Sequence, residues 1–121
     1  MSFEPGVLRL LAEAREVRIE TQRPGSALHS TIIWVVVDGD DAFIRSWRGA
    51  GARWYREAVS NPQVGLVVDG QGVPATAVPA TDGESIRRCS EGFLTKYRKS
   101  KSAQSMVAED ILNTTLRLEP S

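Results

Sequence analysis

A chain of 121 residues, 41% hydrophobic and 25% charged, has the composition of one folded domain and excludes a disordered one. Its 15 basic and 15 acidic residues cancel, which argues against wholesale binding to nucleic acid or an acidic membrane surface. A single cysteine, Cys89, excludes an internal disulfide, and no run of about 18 apolar residues offers a membrane span, so a cytoplasmic location is expected.

Residues 5–14 read as a short helix, with Pro5 in the first turn and Val7, Leu8, Leu11 and Ala14 at helical spacing. Residues 16–22 alternate, with Val17, Ile19 and Thr21 on one side and Arg18, Glu20 and Gln22 on the other, as in a half-exposed strand. Arg23-Pro24-Gly25-Ser26 is a turn. Residues 28–37 contain the longest apolar run, Ile32 to Val37, and predict a central strand covered on both faces. Asp38-Gly39-Asp40 turns the chain into a partner strand over 41–48.

A glycine break follows, then a helix over 52–60 that Asn61-Pro62 stops. Residues 64–68 and 73–79 are two further strands joined at Asp69-Gly70-Gln71-Gly72. Pro74 and Pro79 predict that the second of them is an edge. Thr81-Asp82 caps the longest helix, 82–98, whose buried stripe is Ile86, Cys89, Phe93 and Tyr97. A polar loop over 99–104, a short helix around 105–112 and a strand over 114–118 complete the chain. The order α-βββ-α-ββ-α-α-β, with short connections between strands, predicts a mainly antiparallel α+β fold. Six strands in about 100 residues fit a small barrel, which removes exposed edges.

The chemistry concentrates at Arg45-Ser46-Trp47-Arg48-Gly49-Ala50-Gly51-Ala52-Arg53-Trp54-Tyr55. Glycine lets backbone approach a ligand, a helix start offers free N–H groups, and arginine brings a permanently charged fork. The stretch therefore reads either as an anion site or as an ordinary strand-to-helix loop with solvated arginines. It matches neither a Walker loop nor a dinucleotide fingerprint. Arg23 adds a cation to the same anion if its turn lies nearby. Trp34, Trp47 and Trp54 stand on or beside elements that would build an apolar wall.

Other groups carry less. His29 is the sole histidine and reads as an ordinary strand residue. Cys89 reads as a buried small hydrophobe. The Asp38–Asp41 run lacks the bidentate glutamate of a calcium loop. With no paired carboxylates and no activated nucleophile in view, any redox chemistry would be carried by a cofactor.

Taken together, Glu20-Thr21-Gln22-Arg23-Pro24-Gly25, Ser30-Thr31-Ile32-Ile33-Trp34-Val35, Ser46-Trp47-Arg48-Gly49 and the Arg53-Trp54-Tyr55 helix ending in Asn61-Pro62 run in order over nearly the whole chain. With Lys96-Tyr97-Arg98 and Thr114 to Pro120, this pattern resembles the split β-barrel superfamily that binds flavins and deazaflavins. That superfamily includes pyridoxamine phosphate oxidase-like proteins and deazaflavin-dependent nitroreductases. The likeness is greatest to a family of small uncharacterised members.

The resemblance implies one split-barrel domain over 1–121 with flanking helices, and a homodimer. It implies that Arg23, Ser46, Arg48 and Arg53, with Gly49 in the loop, hold a cofactor phosphate. Thr31, Ile33 and Trp47 would line the ring, with Trp54 as a further cofactor-binding residue. The cofactor would be FMN or a deazaflavin coenzyme, and the activity an oxidoreductase passing a hydride to a small planar acceptor. Two alternatives stay open: a binding module for a flavin-like or other phosphorylated ligand, and a structural dimer without a cofactor.

Overall fold

In the computed structural model, which describes residues 2–121, the apolar run Ile32–Val37 is not one strand. It splits at Trp34-Val35 into β2 (His29–Ile33) and β3 (Val36–Asp38). The other strands are β1 (Val17–Thr21), β4 (Asp41–Ile44), β5 (Gln63–Val68), β6 (Gln71–Pro79) and β7 (Leu116–Pro120), giving one antiparallel sheet in the order β2-β1-β5-β6-β7-β4-β3. The sheet has seven strands rather than the expected six. The reason is closure: the sheet curls until its two edges meet within one chain segment, and that segment must bend to serve both. β2 pairs with β1 and β3 with β4.

The bend leaves the Val35 carbonyl outside the ladder, and a buried carbonyl without a partner is costly. Two side chains from α3 (Gly83–Lys96) and its C-cap satisfy it. Lys96 Nζ donates to Val35 O at 2.7 Å, and the Tyr97 hydroxyl, whose one proton goes mainly to Arg15 O at 2.7 Å, makes a weaker shared contact with it at 3.4 Å. The same two groups donate to Leu11 O and Arg15 O, tying the end of α1 (Pro5–Glu13) to the corner. Trp34 stacks on Tyr97, with ring centroids 3.8 Å apart and planes 4° from parallel.

Burial holds the Lys96 pKa down to about 8, against about 10.4 for an unfolded lysine. Between those values the unfolded chain binds a proton that the folded chain lacks, so this group makes stability rise with pH. Burial also pushes the Cys89 thiol and the Tyr97 phenol up to about 12, and both oppose that rise at higher pH. The difference between wild type and Lys96→Met isolates the lysine. Urea unfolding should show the wild type gaining on the variant from pH 8 to 10, and a flat difference would refute the assignment.

β6 lies inside the sheet, between β5 and β7, and is not an edge. Its prolines are tolerated because each sits where a neighbour has ended. Ala77 N donates to Pro62 O on the β5 side, so Pro79 faces that side too, beyond the last β5 pair, Gln63 with Thr76. Pro74 faces the β7 side, beyond its last pair, Pro120 with Ala75. The β5–β6 hairpin turns on Asp69 (φ 48°) and Gly70 (φ 78°), the two left-handed residues of a type I′ turn.

Side-chain alternation divides the core in two. Ala42 and Ile44 of β4 face the barrel interior with Ile19, Val35, Leu66 and Leu118. Phe43 faces outward under α3 with Val36, Cys89, Phe93 and Tyr97. Asp82 caps α3 by accepting from Ser85 N at 3.1 Å. On the outer side of the β3–β4 turn, Arg88 pairs with both Asp38 and Asp41. The expected loop over 99–104 and helix over 105–112 are instead two 3-10 helices, Lys101–Val107 and Glu109–Thr114.

Candidate functional site

After β4 the chain continues extended through Arg45 and Ser46, then turns at Gly49 into α2 (Arg53–Ser60). Gly49 has φ +76°, a left-handed backbone that favours glycine, although its missing Cβ would meet nothing nearer than Ile111 Cγ2 at 3.7 Å. Conformation, not space, selects glycine here. Ser46 is fully buried and locks the turn: its hydroxyl donates to Gly49 O at 2.7 Å and its N–H to Thr114 Oγ1 at 3.0 Å. Its side chain serves the loop. α2 starts at Ala52 with no side-chain cap, leaving first-turn N–H groups open.

Two cavities flank this start. The first, about 310 Å³, is lined by Thr31, Ile33, Trp34, Trp47, Arg48 and Trp54, with Arg45, Ala52, Ser102 and Met106 among its other walls. Five predicted site residues therefore meet in one pocket. Trp47 is 60% exposed at its mouth, whereas Trp54 is buried against the core. Its lining holds no carboxylate, histidine or cysteine.

The second cavity, about 390 Å³, is lined by Arg23, Ser26, His29, Arg53, Arg56, Glu57 and Ser60. Arg23 and Arg53 thus face a different cleft from Arg48. The two cavities are neighbours. His29 and Thr31 lie on one face of β2, about 7 Å apart along the strand, and Arg53 directly precedes Trp54 in α2.

Behind the second cavity sits Glu57, 2% exposed. Thr21 Oγ1 donates to its Oε1 at 2.7 Å, and His29 Nδ1 donates to its Oε2 at 3.0 Å. Burial raises the carboxyl's pKa. The hydrogen bonds from Thr21 and His29, with the charges of His29 and Arg53, outweigh burial and leave the pKa below the usual glutamate value. Glu57 is therefore an ionised acceptor, and the His29 nitrogen facing it must carry the proton.

Arg45 is the group that sequence reading passed over. It shares the outward face of Phe43, and its side chain is 1% exposed in all. Nε donates to Thr115 Oγ1, Nη1 to Ser90 Oγ and Met106 O, each at 2.9 Å, and Nη2 to Ile86 O at 3.2 Å. Its carbon ζ lies 5.7 Å from the centroid of Phe93. No carboxylate neutralises it among the described residues. Burial lowers its pKa, opposed by nearby Cys89, yet arginine titrates too high to lose its charge. A charge placed at the end of an apolar strand was the available signal. Glu57 gave a similar one, since it falls on the α2 face that buries Trp54 and Ala58.

Among solved structures, the fold matches a candidate pyridoxamine 5′-phosphate oxidase from Listeria innocua, with a TM-score of 0.69 and 14% identity over 96% of this chain and 91% of that one. It matches HutZ, the heme storage protein from Vibrio cholerae, at 0.67 and 17% identity over 100% and 92%. It also matches a NimC/NimA family protein from Clostridium acetobutylicum at 0.66 and 16% identity over 96% and 78%. Identities this low establish shared fold alone. No curated protein matches the sequence. The model of a family described as uncharacterised proteins conserved in bacteria (DUF2255) matches residues 7–118. The chain belongs to that family, and its fold is the split barrel that these solved structures share.

Proposed function

We propose that the protein is a flavin- or deazaflavin-dependent oxidoreductase whose ring sits in the aromatic pocket over β2. The observation that carries this reading is the pocket's chemistry: flat apolar walls from Ile33 and Trp54, a half-exposed Trp47, the Arg48 cation and the uncapped start of α2. These fit an aromatic ring attached to an anion. When bound, such a cofactor supplies hydride transfer to a small planar acceptor. The chain's own residues bind and orient it: Thr31 offers a hydroxyl at the ring edge, the tryptophans exclude water, Arg48 brings positive charge to the pocket, and Arg53 lies in the adjoining cleft.

Titrating the protein with FMN and with a deazaflavin, followed by the visible spectrum and tryptophan quenching, tests this directly. Absence of saturable binding by either refutes it. Arg48→Glu should lower the affinity about ten- to a hundredfold, as loss of one charge-assisted hydrogen bond worth about 1.5–3 kcal/mol requires. Unchanged affinity would remove Arg48 from the site.

The lack of any carboxylate, histidine or cysteine in the pocket lining favours a second reading, a module that holds the ligand without turnover. Single-turnover reoxidation by a quinone or nitroaromatic separates the two, because an inert bound cofactor supports the module. We further propose a homodimer. Leu28, Ile32 and Trp47 are 55%, 51% and 60% exposed, which a second copy would cover beside the pocket. Sedimentation should show a dimer that Ile32→Asp weakens, and a monomeric wild type would refute this.

A further inference from the structure

The second cavity is built for an anion. Arg53 and Arg56 stand three residues apart on α2, and Arg23 reaches in from the turn after β1. None of the three guanidiniums has an ion-pair partner among the described residues. The one carboxylate in the lining, Glu57, has both oxygens engaged by Thr21 and His29. Because Nδ1 of His29 is committed to Glu57, Nε2 lies on the opposite edge of the ring. No protein group binds Nε2 among the described residues. With a neutral imidazole the cavity carries three positive charges against one negative, and Ser26 and Ser60 add hydroxyls to its lining.

We propose that this cleft is a phosphoryl-anion site, held by Arg23, Arg53, Arg56 and His29 Nε2, with Glu57 and Thr21 as positioning residues. A tetrahedral oxyanion offers enough acceptor oxygens for several arginine forks, which a carboxylate does not. A neutral Nε2 accepts from a P–OH group. The anion is either free phosphate or the phosphate end of a ligand whose ring fills the neighbouring pocket. Only the latter form rests on the function proposed above.

His29 is the sole histidine, so its Cε1–H NMR signal is unambiguous. The intact chain is titrated with inorganic phosphate and pyrophosphate at constant ionic strength, with acetate as control. The signal should shift saturably with phosphate and stay still with acetate. Arg53→Glu and Arg56→Glu should each raise the half-saturating concentration at least tenfold, whereas Arg87→Glu, a change on the far α3 surface, should not. Circular dichroism checks that each variant folds. The ring's ¹⁵N shifts should report the Nδ1–H tautomer, and the opposite tautomer would overturn the assigned orientation.

FMN and riboflavin identify the source. A His29 shift with FMN and not with riboflavin places the phosphate end of the ring ligand in the cleft. A shift with phosphate but not with FMN makes it a free-anion site. Both support the proposal, and silence at His29 toward phosphate, pyrophosphate and FMN overturns it. Tryptophan quenching by FMN with His29 silent toward phosphate, pyrophosphate and FMN alike would leave the ring reading standing while removing this one. A phosphate shift without any flavin or deazaflavin binding would do the reverse.

Discussion

Arg45→Ala is expected to cost on the order of 3–5 kcal/mol of stability, the largest loss from any single substitution considered. The guanidinium joins four separate elements: β4 from which it extends, α3 through Ile86 and Ser90, the 101–107 helix through Met106, and the strand entry at Thr115. Its removal takes this donor from the Met106 and Ile86 carbonyls and from the Ser90 and Thr115 hydroxyls, and leaves a void beneath Phe93. Chemical denaturation and calorimetry should both register it, with Tm falling by about 10–20 °C for a domain of this size. Arg45→Lys should recover only part of the loss, since an ammonium has three donors and no planar fork. A loss below about 1 kcal/mol for the alanine variant would mean that water replaces these bonds and that the arginine is not a structural pin.

Gly92→Val is expected to be nearly as damaging. α3 packs on β3 at Gly92, where an added Cβ would stand 2.9 Å from Val36 Cβ and 3.0 Å from its Cγ2. Val36 Cβ is fixed to the strand backbone and cannot swing aside, so helix and strand must separate. Such overpacking costs about 1–3 kcal/mol, and valine's two further methyls fall in the same crowded layer. Gly92→Ala gains up to about 1 kcal/mol of helix propensity against the same contact, so it should be milder but still destabilising. An alanine variant more stable than wild type would show that α3 can move off β3 freely. That movement would also disturb Arg45, whose acceptors Ile86 and Ser90 lie on the same helix.

Much of the fold was readable from local pattern. The alternation of Val17, Ile19 and Thr21, the hairpin at Asp69-Gly70, the stop at Asn61-Pro62 and the cap at Asp82 are all present. Each depends on a few neighbouring residues. The glycine break and the α2 helix fell where spacing put them, and Thr31, Ile33, Trp47, Arg48 and Trp54 do line one pocket. That convergence was visible only through family resemblance, since no local rule brings residues 31 and 54 together.

The rest was decided by closure of the sheet. Nothing in Ile32 to Val37 marks Trp34-Val35 as a bend, because every residue there suits a strand. The bend exists because one segment must pair with β1 at one end and β4 at the other. Pro74 and Pro79 promised an edge, but the staggered ends of β5 and β7 let an interior strand carry them.

Arg23 and Arg53 parted from Arg48 for the same kind of reason: the folded chain puts Arg48 in one cleft and gathers Arg23 and Arg53 in its neighbour. His29 passed for an ordinary strand residue because its partner, Glu57, is 28 positions away. The sequence by itself determined where strands, turns and helices begin, since those follow from side-chain periodicity and backbone freedom within a few residues. Only the tertiary structure decided which charges are buried, paired or left open to a ligand, because burial and ion pairing depend on the distances that the closed barrel sets.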